Sequence, residues 1–237
     1  MRVIAIINHK GGSTKTTTTE HIADILTESG ASVCLIDLDT SYNLTNFYNV
    51  AAKKNIIHLL NGDKKAATKI SDRLSIVAGA KKISQFDTLY FAEPDVFAVL
   101  KNAIDALAFD FVLIDTPHSI GNIIKNAIYA ADTVIMPVMP NRDSADGSVD
   151  VIDEIAELKS HRKNVNVRPY LLPAGFSTFS MKERAIIPAL ASAHKGIDIL
   201  PKIPYKRSIK DDQSERIVRR NTNVYKAYKE VVQWLLK

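Results

Sequence analysis

The residues most able to do chemistry stand together near the start of the chain: Asn8-His9-Lys10-Gly11-Gly12-Ser13-Thr14-Lys15-Thr16-Thr17-Thr18-Thr19. Two lysines, adjacent glycines and a run of hydroxyls are what a polyphosphate needs. Glycine lets the backbone turn so that several N–H groups converge, and Lys15 adds a full positive charge. Thr16 offers a hydroxyl to a magnesium ion bridging phosphate oxygens. Such a loop works only when a strand delivers it and a helix receives it. The apolar run Val3-Ile4-Ala5-Ile6-Ile7 reads as a buried parallel strand, and Glu20 to Ser29 as an amphipathic helix with Ile22, Ala23, Ile25 and Leu26 on one side.

The general phosphate-loop pattern is G-x-x-x-x-G-K-[ST]. Here His9 stands at its first glycine and Thr14 at its second, while Gly11-Gly12 and an additional Lys10 lie between. The version present, K-G-G-x-x-K-T-[ST], resembles the deviant Walker A loop of the ParA/MinD family of ATPases. That resemblance implies that Lys10 reaches the phosphates of a partner subunit across a nucleotide-sandwich dimer, while Lys15 serves its own. It also implies ATP as ligand, contacted by Lys10, Gly11, Gly12, Ser13, Thr14, Lys15, Thr16 and Thr17. Thr14 departs from the family's usual glycine, and a β-branched residue disfavours the positive φ that a glycine there adopts.

Two further acidic segments follow in order. Ser32 to Asp37 reads as a second strand after Gly30, leading into Asp37-Leu38-Asp39-Thr40-Ser41-Tyr42-Asn43-Leu44-Thr45. Carboxylates just past a strand's C-terminal end lie where open parallel sheets place their ligands. The stretch resembles the family's D-x-D-P-Q-x-N-x-T segment, with Thr40 and Ser41 in place of Pro and Gln. By that resemblance Asp39 orients the attacking water and Asp37 supports the magnesium site through its hydration shell. Phe109 to Pro117 reads as a buried strand ending in Asp115, the form of a Walker B carboxylate that binds the metal through water. It resembles the family's D-x-x-x-x-D-T-P-P, with His118 replacing the second proline; Asp110 reads as structural. Met136 to Asn141 resembles the family segment beside the adenine, which gives Pro140 and Asn141 to the base.

The intervening chain carries less chemistry. Ile56 to Leu60 reads as a short helix ended by Asn61-Gly62, with His58 as a packed histidine; Leu74 to Gly79 reads as a strand and Pro94 to Leu107 as a helix. Further elements are expected at Gly121–Ala130 (helix), Asp132–Pro137 (strand), Ser144–Ser160 (helix), Val165–Pro173 (strand), Ser180–His194 (helix) and Gly196–Leu200 (strand). Strands alternating with helices predict an α/β fold: a doubly wound, mainly parallel sheet flanked by helices, of the P-loop NTPase type. With no linker, repeat or low-complexity stretch, residues 1–237 are expected to form a single domain.

From Pro201 onward the chain turns basic. Lys202, Lys206, Arg207, Arg216, Arg219 and Arg220, with further lysines, outnumber the local acids by enough to account for essentially the whole formal net charge of +5. Clustered Lys and Arg without an aromatic platform suit contact with a phosphate backbone and no base reading. In the resembled family a basic surface near the C-terminus binds non-specific double-stranded DNA when ATP holds two subunits together. The final segment, Val224 to Lys237, reads as an amphipathic helix whose face of Val224, Tyr228, Val231, Val232 and Leu235 suffices to pack onto the domain.

Hydrophobic content of 46% and charged content of 24% fit a globular protein, and no apolar run reaches bilayer-spanning length. The lone Cys34, inside an apolar run, reads as a buried hydrophobe and excludes an electron-transfer iron protein of this superfamily, which needs paired cysteines. The chain enters its first strand at once, so neither a signal peptide nor an N-terminal operator-binding domain is expected. The resemblance therefore implies a short ParA/Soj-type DNA-segregation ATPase. Such a protein is cytoplasmic and nucleoid-associated, forms an ATP-dependent homodimer, uses ATP and Mg2+, and is stimulated by a ParB-type centromere-binding partner. The competing readings are a MinD-like membrane-associated ATPase switch and an ATP-dependent DNA-binding regulator in which Thr14 impairs hydrolysis.

Overall fold

The computed structural model describes residues 1–118, 121–162, 165–176, 185, 186, 188–190, 192, 197–204 and 222–237. Its spine is a nine-stranded sheet. In chain order the strands are β1 (Arg2–Ile6), β2 (Val33–Asp37), β3 (Thr68–Lys69), β4 (Leu74–Val77), β5 (Phe111–Asp115), β6 (Thr133–Val138), β7 (Arg168–Phe176), β8 (Asp198–Ile199) and β9 (Ile203–Pro204). They lie in the order β3-β4-β2-β5-β1-β6-β7-β8, with β9 also on β7. Every pairing is parallel except β3 with β4. The main helices are α1 (Lys15–Glu28), α2 (Asn43–Phe47), α3 (Ile56–Leu60), α4 (Phe86–Leu89), α5 (Val99–Ile104), α6 (Asn122–Ala130), α7 (Arg142–His161) and α8 (Asn223–Leu235).

The near-continuous apolar strands are explained by burial on both faces. In β1, Ile4 and Ile6 face α1 and α8, where they meet Ile22, Leu26, Tyr228 and Val231. Val3 and Ala5, with Ile7 just beyond the strand, face the opposite layer, where Leu100, Ile124, Val151 and Ile155 of α5, α6 and α7 cover them. Each fully buried Ile or Leu contributes about 1.5–3 kcal/mol, and there are enough on each side to hold the helices on the sheet. Cys34 lies fully buried in the second of these layers, and burial pushes its thiol up to about 12, so it is an inert hydrophobe as expected.

The C-terminal helix α8 docks on the loop helix. Val224, Tyr225, Tyr228, Val231, Val232 and Leu235 are buried, the Tyr228 ring stacks 4.5 Å from His21, and its hydroxyl lies 2.9 Å from Thr18 Oγ1. The apolar face is thus occupied by the protein's own core. Thr222 caps this helix by accepting from Tyr225 N at 3.1 Å.

Several boundaries differ from expectation. The helix predicted from Glu20 begins at Lys15, and the strand predicted at Val165–Pro173 runs Arg168–Phe176. The helix predicted over Pro94–Leu107 is confined to Val99–Ile104, because Asp95 is drawn into a paired contact with Arg162 (2.6 Å on both oxygens) that holds the preceding turn. His58 is exposed, not packed; its ring shares a capping arrangement with Asn55 at the start of α3. Most of the expected helix at Ser180–His194 lies outside the described residues.

Candidate functional site

β1, β2 and β5 are adjacent and in register, so their C-terminal ends form one edge: Ile6 pairs with Asp115, and Asp37 pairs with Asp115. Three loops therefore open onto one cavity of about 370 Å3, lined by Gly11 to Thr17, Asp39, Ser41, Asn43 and His118. This is the ligand crevice expected of an open parallel sheet.

The loop after β1 is built by its own backbone. Gly12 takes φ +73°, and Thr14 follows at φ +66° as the residue that opens α1. The first turn of α1 contains no acidic residue, leaving its positive dipole end free for an anion. Lys15 Nζ donates to Asn8 O at 3.0 Å and to Lys10 O at 3.2 Å, so the side chain lies back across the loop. Burial pulls its ammonium below the ordinary lysine value, against the opposing pull of Asp115 and Asp39. Lys10 is exposed and makes no ion pair among the described residues, and it does not line the cavity.

Thr14 is strained. A β-branched residue at positive φ costs about 1 kcal/mol or more, and its buried Oγ1 has no hydrogen-bond partner among the described residues. Thr14→Gly is expected to raise the thermal midpoint of the nucleotide-free protein by about 2–4 °C. A melting curve at or below the wild-type midpoint would show that the loop geometry is not strained.

The carboxylates divide by environment. Asp37 is fully buried; its Oδ2 accepts from Thr45 N (2.9 Å) and Thr45 Oγ1 (2.6 Å), and its Oδ1 from Asp39 N (3.0 Å). Thr45 Oγ1 in turn accepts from Gly79 N, joining β4 to the site. Asp115, also fully buried, accepts from Thr16 Oγ1 at 2.7 Å. Burial, then the neighbouring Asp37, holds the Asp115 carboxyl well above the usual carboxylate range; burial raises Asp37 despite its hydrogen bonds. Asp39 holds Ser41 N and Ser41 Oγ on one oxygen at 2.8 Å each.

These residues fit a magnesium–nucleotide complex. Asp115 Oδ1 is buried with no hydrogen-bond partner among the described residues, beside the Thr16 hydroxyl. Paired acidic oxygens and a hydroxyl are hard-cation ligands, and the helix start with Lys15 suits the phosphates. Pro140 and Asn141 follow β6, outside the lining of this cavity; Asn141 caps α7 by accepting from Ser144 N at 2.8 Å. Asp110 is structural as expected, holding Ser32 N and Oγ. Lys202 is exposed between β8 and β9, while Lys206, Arg207, Arg216, Arg219 and Arg220 lie outside the described residues. Asn8 was missed. Its side-chain amide is fully buried and donates to Pro137 O (2.9 Å) and Ser144 O (3.0 Å), contacts that no local spacing announces.

A strand–glycine loop–helix unit with flanking strand-end carboxylates defines a P-loop nucleoside triphosphatase. The family model described as an AAA domain matches residues 1–168. The chromosome-partitioning ATPase Soj of Thermus thermophilus is 31% identical over 175 residues, covering 73% of this chain and 67% of that protein. The septum site-determining protein MinD of Bacillus subtilis is 31% identical over 195 residues, with coverages of 73% and 67%. Among solved structures, cobyrinic acid a,c-diamide synthase from Mycobacterium smegmatis with bound ADP and magnesium superposes with a TM-score of 0.84 at 25% identity, covering 99% of this chain and 94% of that one. The chain belongs to this AAA-domain family and, within it, to the ParA/Soj-type partition ATPases of the ParA/MinD group. It is an ATPase that uses ATP and magnesium.

Proposed function

We propose that this ATPase is the nucleotide-switched DNA carrier of a partition system. With ATP and magnesium two copies close face to face, the pair holds non-specific duplex, and a ParB-type partner triggers hydrolysis and release. The observation that carries this reading is the division of labour between the two loop lysines: Lys15 is buried over its own loop, while Lys10 is exposed at the same rim and makes no ion pair among the described residues.

Within one site, Gly11 to Thr14 and the start of α1 wrap the phosphates, and Lys15 swings from its backbone acceptors to them. Magnesium, when bound, neutralises charge on the phosphate oxygens. Thr16 and Asp115 would hold it, with Asp37 acting through its water shell, and Pro140 and Asn141 would lie toward the base. Asp39 has one oxygen fixed by Ser41, leaving the other to take the attacking water and align it in line with the terminal phosphate. Lys10 adds positive charge to the partner's phosphates as negative charge develops there.

The basic residues after Pro201 supply the DNA contact, and the protein works in the cytoplasm on the nucleoid. Among the described residues no helix is long and apolar enough to cross a membrane. The burial of the apolar face of α8 against α1 does not favour the MinD-like alternative, in which that face lies on lipid. The test is a gel shift on random duplex with ATP, ADP or no nucleotide. Retardation is expected with ATP alone, weakening by about 10³-fold or more between 50 and 200 mM salt. Lys206→Glu with Arg207→Glu should abolish it and leave ATP-dependent dimerisation intact. Equal retardation without nucleotide would overturn the reading.

A further inference from the structure

Gly147 sits inside the second turn of α7, where a glycine is unfavourable relative to alanine and no turn requires it. Its surroundings show what the missing side chain makes room for. A Cβ there would stand 2.5 Å from Asn8 Oδ1, 2.8 Å from Lys10 Cγ and 3.2 Å from Lys10 N. None of these atoms can step aside easily. The Asn8 side chain is locked by its bonds to Pro137 O and Ser144 O, its Oδ1 accepts from Lys10 N at 2.9 Å, and Lys10 Cγ lies close to its own backbone.

The contact is one of a series. Ser144, Gly147 and Glu154 lie along one stripe of α7, and each meets the stretch just before the double glycine. Ser144 O accepts from Asn8, Gly147 O from His9 N at 3.5 Å, and Glu154 Oε2 lies 3.3 Å from His9 Nε2. The backbone of Lys10 is thus fixed from below by a helix, while its ammonium stays exposed.

We propose that Gly147 is a positioning residue for Lys10: the notch it leaves in α7 seats the Asn8 amide and the Lys10 stem, and so sets the direction in which Lys10 leaves the loop. This rests on the reading of Lys10 as a ligand to the partner's phosphates, and it adds that α7 mounts that lysine. The three atoms nearest that Cβ belong to Asn8 and Lys10, and Lys15 meets those two residues through their backbone carbonyls, on the far side of the double glycine.

The test is Gly147→Ala in the full chain. Helix propensity alone would raise its thermal midpoint by about 2–4 °C. The notch predicts instead no rise, dimerisation with a non-cleavable ATP analogue weakened at least tenfold, and Mg·ADP affinity of the monomer kept within threefold. A wild-type dimer, a raised midpoint, or equal loss of ADP affinity and dimerisation would each overturn it. Should Gly147→Ala alone not fold, adding Asn8→Ser removes the oxygen nearest the new methyl and should recover a folded monomer; no recovery also overturns it. Lys10→Ala run in parallel separates the two claims. If it keeps the dimer, the reading of Lys10 fails and takes the proposal with it; if it loses the dimer while Gly147→Ala does not, only the notch fails.

Discussion

Replacing Asp39 with alanine will lower ATP turnover by about 10²–10⁴-fold while Mg·ATP still binds within a few-fold of the wild-type affinity. That is the usual range for a positioned group that handles the nucleophile's proton, and it corresponds to about 2.7–5.4 kcal/mol of barrier. The expectation follows from how differently the neighbouring acids are tied. Asp37 spends both oxygens on Thr45 and on the Asp39 backbone, and Asp115 is buried against Thr16. Asp39 alone among them lines the cavity, and among the described residues its side-chain hydrogen bonds fall on the Ser41-bound oxygen. It also raises the proton affinity of Lys15, which lies on the same side. Equilibrium binding of a fluorescent ATP analogue, together with single-turnover phosphate release, separates the two effects. Turnover within fivefold of wild type would remove Asp39 from the reaction; loss of nucleotide binding would make it part of the metal site instead.

The site was legible where one short stretch of chain encodes both the chemistry and its placement. Lys15, Thr16 and the glycines are contiguous, and Asp115 ends an apolar strand, so period and position sufficed. What escaped depends on distant partners. Nothing near Asn8 indicates that its amide will meet Pro137 and Ser144, and Gly147 reads locally as a weak point in a helix. The late start given to α1 has a similar cause. Thr16 to Thr19 are poor helix formers, yet Thr19 Oγ1 returns to Lys15 O (3.1 Å) and Thr18 meets Tyr228 of α8, so packing overrides propensity. His58 was misjudged because its neighbours are apolar; helical spacing turns Ile56 and Leu59 inward and leaves it outside. The strands β3 and β9, each only 2 residues long, carry too little pattern to be read without the sheet they join, whereas β8 falls inside the strand expected at Gly196–Leu200.

Lys10→Ala should produce a protein that binds ATP as a monomer and does not dimerise on it. Were Lys10 a ligand of its own phosphates, its side chain would line the cavity that Gly11 to Thr17 enclose; it does not, although its backbone is held on both sides. Its carbonyl accepts from Lys15 and its N–H is bound by Asn8, so the stem is fixed and only the charged end is free to reach outward. A lysine brought within 4 Å of a phosphate oxygen gains about 4 kcal/mol at the effective dielectric of a protein surface, before desolvation is subtracted. Charge supplied in trans to a phosphoryl transition state is worth about 10³–10⁵ in turnover in the best-studied triphosphatases, so the variant's hydrolysis should fall by about 10³-fold or more. Light scattering on a sizing column with a non-cleavable analogue reads the mass, and titration with ATP reads the affinity. A normal dimer would show that another residue bridges the subunits. An affinity loss as large as that of Lys15→Ala would place Lys10 on its own nucleotide, and the exposed ammonium would then have to fold back over the loop when the phosphates arrive.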